Sequence, residues 1–169
     1  MENNSLETER LILKPAQITD AEFFLKLYTE RLFIRFIGDR KLKNKIDAEN
    51  YIKEKFLPQF EKLSFGNYVI ERKSDEEKVG AVGIFVREGL EIPDIGFSLL
   101  EEFHKQGYAF EAANFLKNHV FQNYNLKKIS AITSEDNFSS QKLIEKLGLK
   151  YVRMVNLPND EEWLRYYEN

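Results

Sequence analysis

Apolar residues recur along this chain with two different periods, and the period changes after Gly66. Before that point a short apolar run predicts a strand over Arg10–Lys14, and the spacing then becomes helical. Thr19 and Glu22 stand in the pattern of a capping box, in which Thr19 is the N-cap and Glu22 reaches back to it. We therefore expect the first helix to begin directly after Thr19.

Two further helical segments are predicted in the first half of the chain. Glu30–Ile37 is short and is broken at Gly38. The next segment is expected to be capped by Asp47 and to run to about Leu63. Pro58 lies inside it and predicts a kink or a break, because proline lacks the N–H that an inner helical turn uses.

Strand patterns dominate the second half of the chain. The predicted strands are Tyr68–Arg72, Lys78–Phe85, Glu91–Leu100, Lys128–Thr133, Tyr151–Val155 and Trp163–Tyr167. The predicted helices are Tyr108–Tyr124 and Asn137–Leu147. A strand, a helix and a strand in succession favour a right-handed parallel crossover. No repeat or linker interrupts the pattern, so we expect one domain over residues 1–169.

Composition narrows the possible functions. The chain has 169 residues, of which 43% are hydrophobic and 31% charged, as in an ordinary globular protein. A net charge of −3 offers no basic field for nucleic acid or an anionic membrane, so neither is an expected partner. There is no cysteine, and with only two histidines a metal centre is not expected. No segment resembles a membrane span or a signal peptide, so we expect a cytoplasmic protein.

The segment with the clearest chemistry runs from the strand that ends near Leu100 into the helix that begins at Tyr108. Gly107 opens that helix. A glycine at a helix N-terminus lets backbone N–H groups approach phosphate oxygens closely, with help from the helix dipole. A structural turn is the alternative explanation for the same glycine.

This segment resembles the coenzyme A loop of the GNAT N-acyltransferase superfamily. The matching residues are Ile95-Gly96-Phe97-Ser98-Leu99 and His104-Lys105-Gln106-Gly107-Tyr108-Ala109-Phe110-Glu111-Ala112. They are similar to the branch typified by ribosomal-protein-alanine N-acetyltransferases. His104 stands where that pattern has Gln or Arg, and Lys105 where it usually has glycine.

A second segment, Asn137 to Leu149, resembles the other signature of the same superfamily, Asn-x-x-Ser/Ala-x-x-Leu-x-Glu-Lys-x-Gly-Phe. It follows the coenzyme helix by one strand, as in that family. The opening residues Glu7–Pro15 also resemble the first strand of the branch. The resemblance implies an α/β (α+β) fold: a twisted, mostly antiparallel sheet of about six to seven strands, flanked by about four helices, with a central splayed parallel pair.

The resemblance also implies the co-substrate, acetyl-CoA, and the residues that bind it. Pantetheine would hydrogen-bond the backbone at Phe97, Ser98 and Leu99 in the manner of an added strand. The remaining coenzyme contacts carried over from the two motifs are His104, Lys105, Gln106, Gly107, Tyr108, Ala109, Asn137 and Ser140. Helix capping alone is the structural alternative for Asn137 and Ser140.

Acetyl transfer to an amine requires a proton acceptor and a group that stabilises the departing thiolate. Many members of the superfamily place a tyrosine where this chain has Ile144, which cannot donate a proton. The branch that this chain resembles commonly lacks that tyrosine too and has a serine near the sulfur, so the resemblance implies that Ser140 assists the leaving group. For the base we expect Asp94, which shares strand parity with Gly96 and Ser98, with Glu91 as the weaker alternative. A turn residue after Pro93 is the structural alternative for Asp94.

The acceptor is not identified by the sequence. The branch includes enzymes that act on protein N-termini, polyamines and small-molecule amines. The aromatic residues Phe33, Phe36, Tyr166 and Tyr167 are candidates for the acceptor pocket, and core packing explains them equally well. The chain is expected to be a monomer or a homodimer. Two rivals are a non-catalytic acyl-CoA sensor and a nucleotide-binding domain; for the latter the usual glycine motifs are missing.

Overall fold

The computed structural model describes residues 4–169. The eight strands within this range are β1 (Leu6–Glu7), β2 (Leu11–Pro15), β3 (Asn67–Arg72), β4 (Lys78–Phe85), β5 (Asp94–Leu99), β6 (Ser130–Thr133), β7 (Lys150–Asn156) and β8 (Trp163–Glu168). The six α-helices in the same range are α1 (Ala21–Thr29), α2 (Arg31–Phe36), α3 (Lys45–Lys55), α4 (Leu57–Leu63), α5 (Tyr108–Asn123) and α6 (Phe138–Lys146). Single turns of 3-10 helix cover Ile18–Asp20 and Glu101–Phe103.

All eight strands belong to one sheet, in the order β1-β2-β3-β4-β5-β6-β8-β7. Each neighbouring pair is antiparallel except β5 and β6, which are parallel. This confirms the mixed sheet with a central parallel pair. Within the described range the sheet has one strand more than expected, because the two residues of β1 pair with β2 through Leu6 and Leu13.

Helix α5 covers the centre of the sheet and contacts β4 and β5. Its inner face carries Ala112, Ala113, Leu116 and Val120, all fully buried. The two alanines are small enough to bring the helix backbone close to the strands. Truncating Leu116 to alanine would cost about 2–5 kcal/mol, the usual range for a buried leucine. This packing fixes the N-terminus of α5 beside the end of β5.

Two predicted helix starts are wrong. The cap of the first helical segment is not Thr19: Asp20 accepts a hydrogen bond from the Gln17 N–H (2.8 Å) and forms an ion pair with Lys78 (2.7 Å), so the chain first makes a 3-10 turn. Asp47 is likewise inside α3, because the Asn44 side chain accepts from the Asp47 N–H (2.9 Å) and is the cap.

The break predicted at Pro58 is confirmed. Helix α3 ends before Phe56, and α4 begins at Leu57 with Pro58 in its first turn, where no N–H is needed. The strand expected over Glu91–Leu100 is shorter and begins at Asp94. Glu91 instead lies exposed in the loop that precedes it.

Candidate active site

Strands β5 and β6 form an open wedge at the centre of the sheet. Asp94 and Ser130 are their only pair of Cα partners, and the Ser130 N–H donates to the Pro93 carbonyl (2.8 Å). Beyond this point the strands diverge towards their C-terminal ends. Although β5 lies between β4 and β6, its residues from Gly96 to Leu99 are partly exposed. Their backbone groups on the β6 side are therefore open to a ligand that binds as an added strand.

The wedge opens towards the loop between β5 and α5. Lys105 and Gly107 in this loop have positive φ angles, +61° and +83°. Within residues 4–169, the backbone N–H groups from Lys105 to Ala109 make no hydrogen bond to a protein acceptor. A run of free N–H groups with alternating backbone conformation forms a concavity that suits an anion. The 16-residue helix α5 adds its positive end to the same place.

His104 fastens the start of this loop. Its Nε2 lies 3.0 Å from the carbonyl oxygen of Leu99. Because a carbonyl only accepts, this contact requires the proton on Nε2. His104 therefore holds the loop against the end of β5, and its position does not favour acid–base chemistry.

Arg10 and Glu111 clamp the other side of the loop. The Glu111 carboxylate accepts from the Arg10 side chain (2.6 Å), the Arg10 backbone N–H (2.8 Å) and the Thr8 hydroxyl (2.6 Å). Arg10 also donates to the Gln106 carbonyl (3.0 Å) and lies over the buried Tyr108 ring. Burial raises the pKa of Glu111, but the hydrogen bonds from Thr8 and Arg10 outweigh it and leave this pKa below its ordinary value.

The N-terminus of α6 forms the second wall of the site, after the end of β6. The Asn137 side chain accepts from the Ser140 N–H (3.2 Å), which is the capping geometry that was the structural alternative for Asn137. The Ser140 hydroxyl is half-buried and makes no hydrogen bond within the described residues, so it can donate to a ligand. Ile144 is buried, one helical turn further on, and packs in the core.

Asp94 lies at the apex of the wedge. It is 1% exposed, and its Oδ1 accepts from Arg87 Nε at 2.7 Å. Burial raises the pKa of Asp94 above its ordinary value, and the Arg87 guanidinium offsets only part of this effect. A carboxyl group with a raised pKa is suited to accepting a proton from an amine near neutral pH.

Core packing explains three of the four aromatic residues considered for the acceptor pocket. Tyr166 and Tyr167 are buried, and their hydroxyl groups are bonded to Glu168 and Arg165. The buried ring of Phe33 stacks on Tyr28 with centroids 4.2 Å apart. Phe36 is half-buried beside β6.

Sequence reasoning missed the roles of Arg10, Glu111 and Arg87. Glu111 belongs to the segment that resembles the coenzyme A loop, but its partners Thr8 and Arg10 lie 101 or more residues earlier in the chain. No local pattern signals such a contact. Arg87 lies seven residues before Asp94, in the loop between β4 and β5, and only the fold shows that the two side chains meet.

Residues 4–169 contain neither a metal-binding cluster nor a membrane-spanning helix. No group of three or more histidine, aspartate or glutamate side chains is placed to hold a metal ion. No helix in that range has the length and apolar character needed to cross a membrane.

Comparison with known proteins identifies the family. The family model described as an acetyltransferase (GNAT) domain matches residues 10–150, which include the coenzyme loop and α6. The chain belongs to the GNAT acetyltransferase family. Its relatives include an uncharacterized N-acetyltransferase, YoaA of Bacillus subtilis (strain 168), 25% identical over 146 residues, which are 86% of this chain and 82% of the relative. The GNAT assignment supports an acetyltransferase and does not favour a non-catalytic sensor.

Solved acetyltransferase structures share the fold over almost the whole chain. An acetyltransferase from Agrobacterium tumefaciens str. C58 superposes with a TM-score of 0.83 at 22% identity, covering 98% of this chain and 93% of that one. RimL, a ribosomal L7/L12 α-N-protein acetyltransferase in complex with coenzyme A, has a TM-score of 0.81 at 15% identity, covering 96% and 94%. At these identities the likeness establishes the GNAT fold and not the acceptor.

Proposed function

We propose that this GNAT protein transfers the acetyl group of acetyl-CoA directly to a primary amine, carried by a protein N-terminus, a polyamine or a small molecule. The observation that best supports this function is the wedge between β5 and β6. Its apex at Asp94 and Ser130 is closed, and its mouth faces the free N–H groups of the loop before α5. One extended molecule with an anionic end fits both features.

Groups of this chain are available to three parts of the coenzyme: the pyrophosphate, the pantetheine and the thioester sulfur. The N–H groups from Lys105 to Ala109 are free to hold the pyrophosphate. The partly exposed backbone of Phe97, Ser98 and Leu99 is available to the pantetheine amides. On the other wall, Asn137 holds the first turn of α6 and so directs the free hydroxyl of Ser140. Acetyl-CoA supplies the activated thioester.

Two side chains serve the transfer itself. Asp94 accepts the proton that the attacking amine loses as the new N–C bond forms. Ser140 donates a hydrogen bond to the thiolate sulfur as the C–S bond breaks, a role that Ile144 cannot perform. Arg87 holds the Asp94 carboxylate in place through the 2.7 Å contact and moderates its pKa.

A thiol-release assay tests this function. Purified protein and acetyl-CoA are mixed with peptides, polyamines and small amines in turn, and the products are analysed by mass spectrometry. We expect at least one amine to raise thiol release and to gain one acetyl group per thiol released. Tight CoA binding with thiol release that no amine increases would contradict transfer and would favour the acyl-CoA sensor.

A further inference from the structure

A shallow groove lies between the loop that follows β6 and the start of β8. It is lined by Glu135, Asp136, Phe138, Glu162 and Trp163. The side chains of Phe138 and Trp163 are 67% and 62% exposed, the two most exposed aromatic residues within residues 4–169. Two large aromatic side chains left in solvent on one groove are typical of an interaction surface.

The rim of this acidic–aromatic groove carries negative charge. Neither Glu135 nor Glu162 has a cationic side chain within 4.0 Å in the described part of the chain. Asp136 pairs with Arg35 at 3.4 Å, but both side chains are more than half exposed, so the pair contributes little. The groove therefore combines two carboxylates that form no close ion pair, Glu135 and Glu162, with open aromatic faces.

Lysine and arginine side chains match both of these properties. A cation binds over the face of tryptophan or phenylalanine, with tryptophan the best of the three aromatic types. Nearby carboxylates add charge-assisted hydrogen bonds. A neutral or acidic peptide would gain neither the cation–π contact nor the charge-assisted hydrogen bonds, and the carboxylates would repel an acidic peptide.

The groove and the candidate leaving-group residue, Ser140, share the first turn of α6. Phe138 and Ser140 are two residues apart in α6, so their side chains leave nearly opposite sides of the helix. A peptide acceptor that reaches Ser140 over the N-terminal end of α6 would pass beside Phe138 and the groove.

We propose that the acidic–aromatic groove binds a lysine or arginine side chain of a peptide acceptor, downstream of the amine that receives the acetyl group. This inference rests on the proposed function and adds the class of acceptor: a basic peptide. Cation–π contact with Trp163 and ion pairing with Glu135 and Glu162 select it. A polyamine has no peptide backbone and is an alternative that the test separates.

Binding is tested without catalysis through Trp163, which is the only tryptophan of the chain. Its fluorescence is titrated with the peptide Ser-Ala-Ala-Lys-Ala-Ala and with a control in which glutamine replaces lysine. We expect the fluorescence change to saturate with both peptides, with a half-saturating concentration at least about 10-fold lower for the lysine peptide than for the glutamine peptide. Binding of the lysine peptide should weaken as the salt concentration is raised. Equal responses to both peptides, or a stronger response to spermidine, would overturn the proposal.

Kinetics test the same point in the enzyme. In the double variant Glu135→Gln and Glu162→Gln we expect the KM for the lysine peptide to rise about 10-fold, with kcat, the KM for the glutamine peptide and CoA affinity unchanged. The matched control is Glu54→Gln, a change of an exposed carboxylate on α3. If the KM rises equally for both peptides, or rises for neither, the groove does not bind the acceptor's basic residue.

The two proposals fail in different ways. If an amine is acetylated but the lysine and glutamine peptides are equally good acceptors, transfer stands and the groove proposal is wrong. If Trp163 fluorescence distinguishes the peptides but no amine is ever acetylated, the groove binds basic peptides and acetyl transfer is wrong.

Discussion

Arg10 and Glu111, 101 residues apart in the chain, meet through two hydrogen bonds of 2.6 Å and 2.8 Å beside the coenzyme loop. The Arg10 side chain also donates a hydrogen bond to the Gln106 carbonyl oxygen at 3.0 Å. The first strands of the chain are in this way tied to the loop that would hold the pyrophosphate.

Removing the Glu111 charge should loosen this clamp. We expect Glu111→Gln to lower the free energy of unfolding by about 2 kcal/mol at pH 7, the usual value for hydrogen bonds to a charged group, and to weaken CoA binding. Because the pKa of Glu111 is lowered in the folded state, its contribution is present above its ordinary value of 4.5 and is lost as the pH falls through the lowered pKa. Thermal unfolding from pH 3 to 7 measures both effects.

The control for this clamp is Glu102→Gln, which removes an exposed partner of Lys26. It should cost less than about 1 kcal/mol. A Glu111→Gln protein that lost no more stability than Glu102→Gln, with the same difference at every pH, would refute the clamp.

CoA binding should require the absence of a side chain at Gly107, in addition to the positive φ that glycine allows there. Gly107→Val places a side chain among the free N–H groups, and we expect CoA affinity to fall at least about 10-fold, or 1.4 kcal/mol. Gly148→Val is the matched control, since Gly148 also has positive φ, +92°, but a Cβ there meets nothing within 4 Å. Calorimetry of both folded variants decides: equal CoA affinities would exclude the loop from the coenzyme site.

Ser140 should matter for turnover and not for folding. Its hydroxyl has no hydrogen-bond partner in the described residues, so Ser140→Ala should change stability by less than about 0.5 kcal/mol. We expect kcat to fall about 100-fold, at the lower end of the range for a positioned proton donor. Ser139→Ala, at the exposed neighbouring position, should leave kcat unchanged. A parental kcat in Ser140→Ala would leave the serine with a structural role only.

Asp94 and Arg87 should control the acid limb of the pH–rate profile. Since Arg87 lowers the pKa of Asp94, Arg87→Gln should move this limb to higher pH. Asp94→Asn should abolish the limb and leave CoA affinity intact, whereas the limb that belongs to the acceptor amine remains in both variants. If Asp94 and Arg87 form only a structural ion pair, both variants will lose stability but neither limb of the pH–rate profile will move. That result would exclude Asp94 as the base.

Local patterns allowed most of the fold to be predicted. The bounds of β4, Lys78–Phe85, agree with the sequence because a charged turn precedes an unbroken apolar run. Helix α6 agrees because Asn137 caps it and Gly148, at positive φ, ends it. Thr19 failed as a cap because the Asp20 carboxylate, bonded to Gln17 and Lys78, competes for the same turn.

The details of the site depend on the fold and not on local sequence. Lys105 adopts a positive φ that is uncommon for a residue with a side chain, and no pattern signals it. The pairing of Asp94 with Arg87 also depends on how the loop between β4 and β5 folds back. Sequence motifs located the coenzyme segments, and tertiary contacts determine which of their groups remain free.

The central claim is that the wedge between β5 and β6 and the loop from Lys105 to Ala109 hold the coenzyme. Residue-resolved amide hydrogen exchange with and without CoA tests it most directly. We expect CoA to slow exchange at residues 97–99 and 105–109 and to leave β7, at the far edge of the sheet, unchanged. Saturating CoA that protects neither segment, or that protects β7 instead, would contradict the claim.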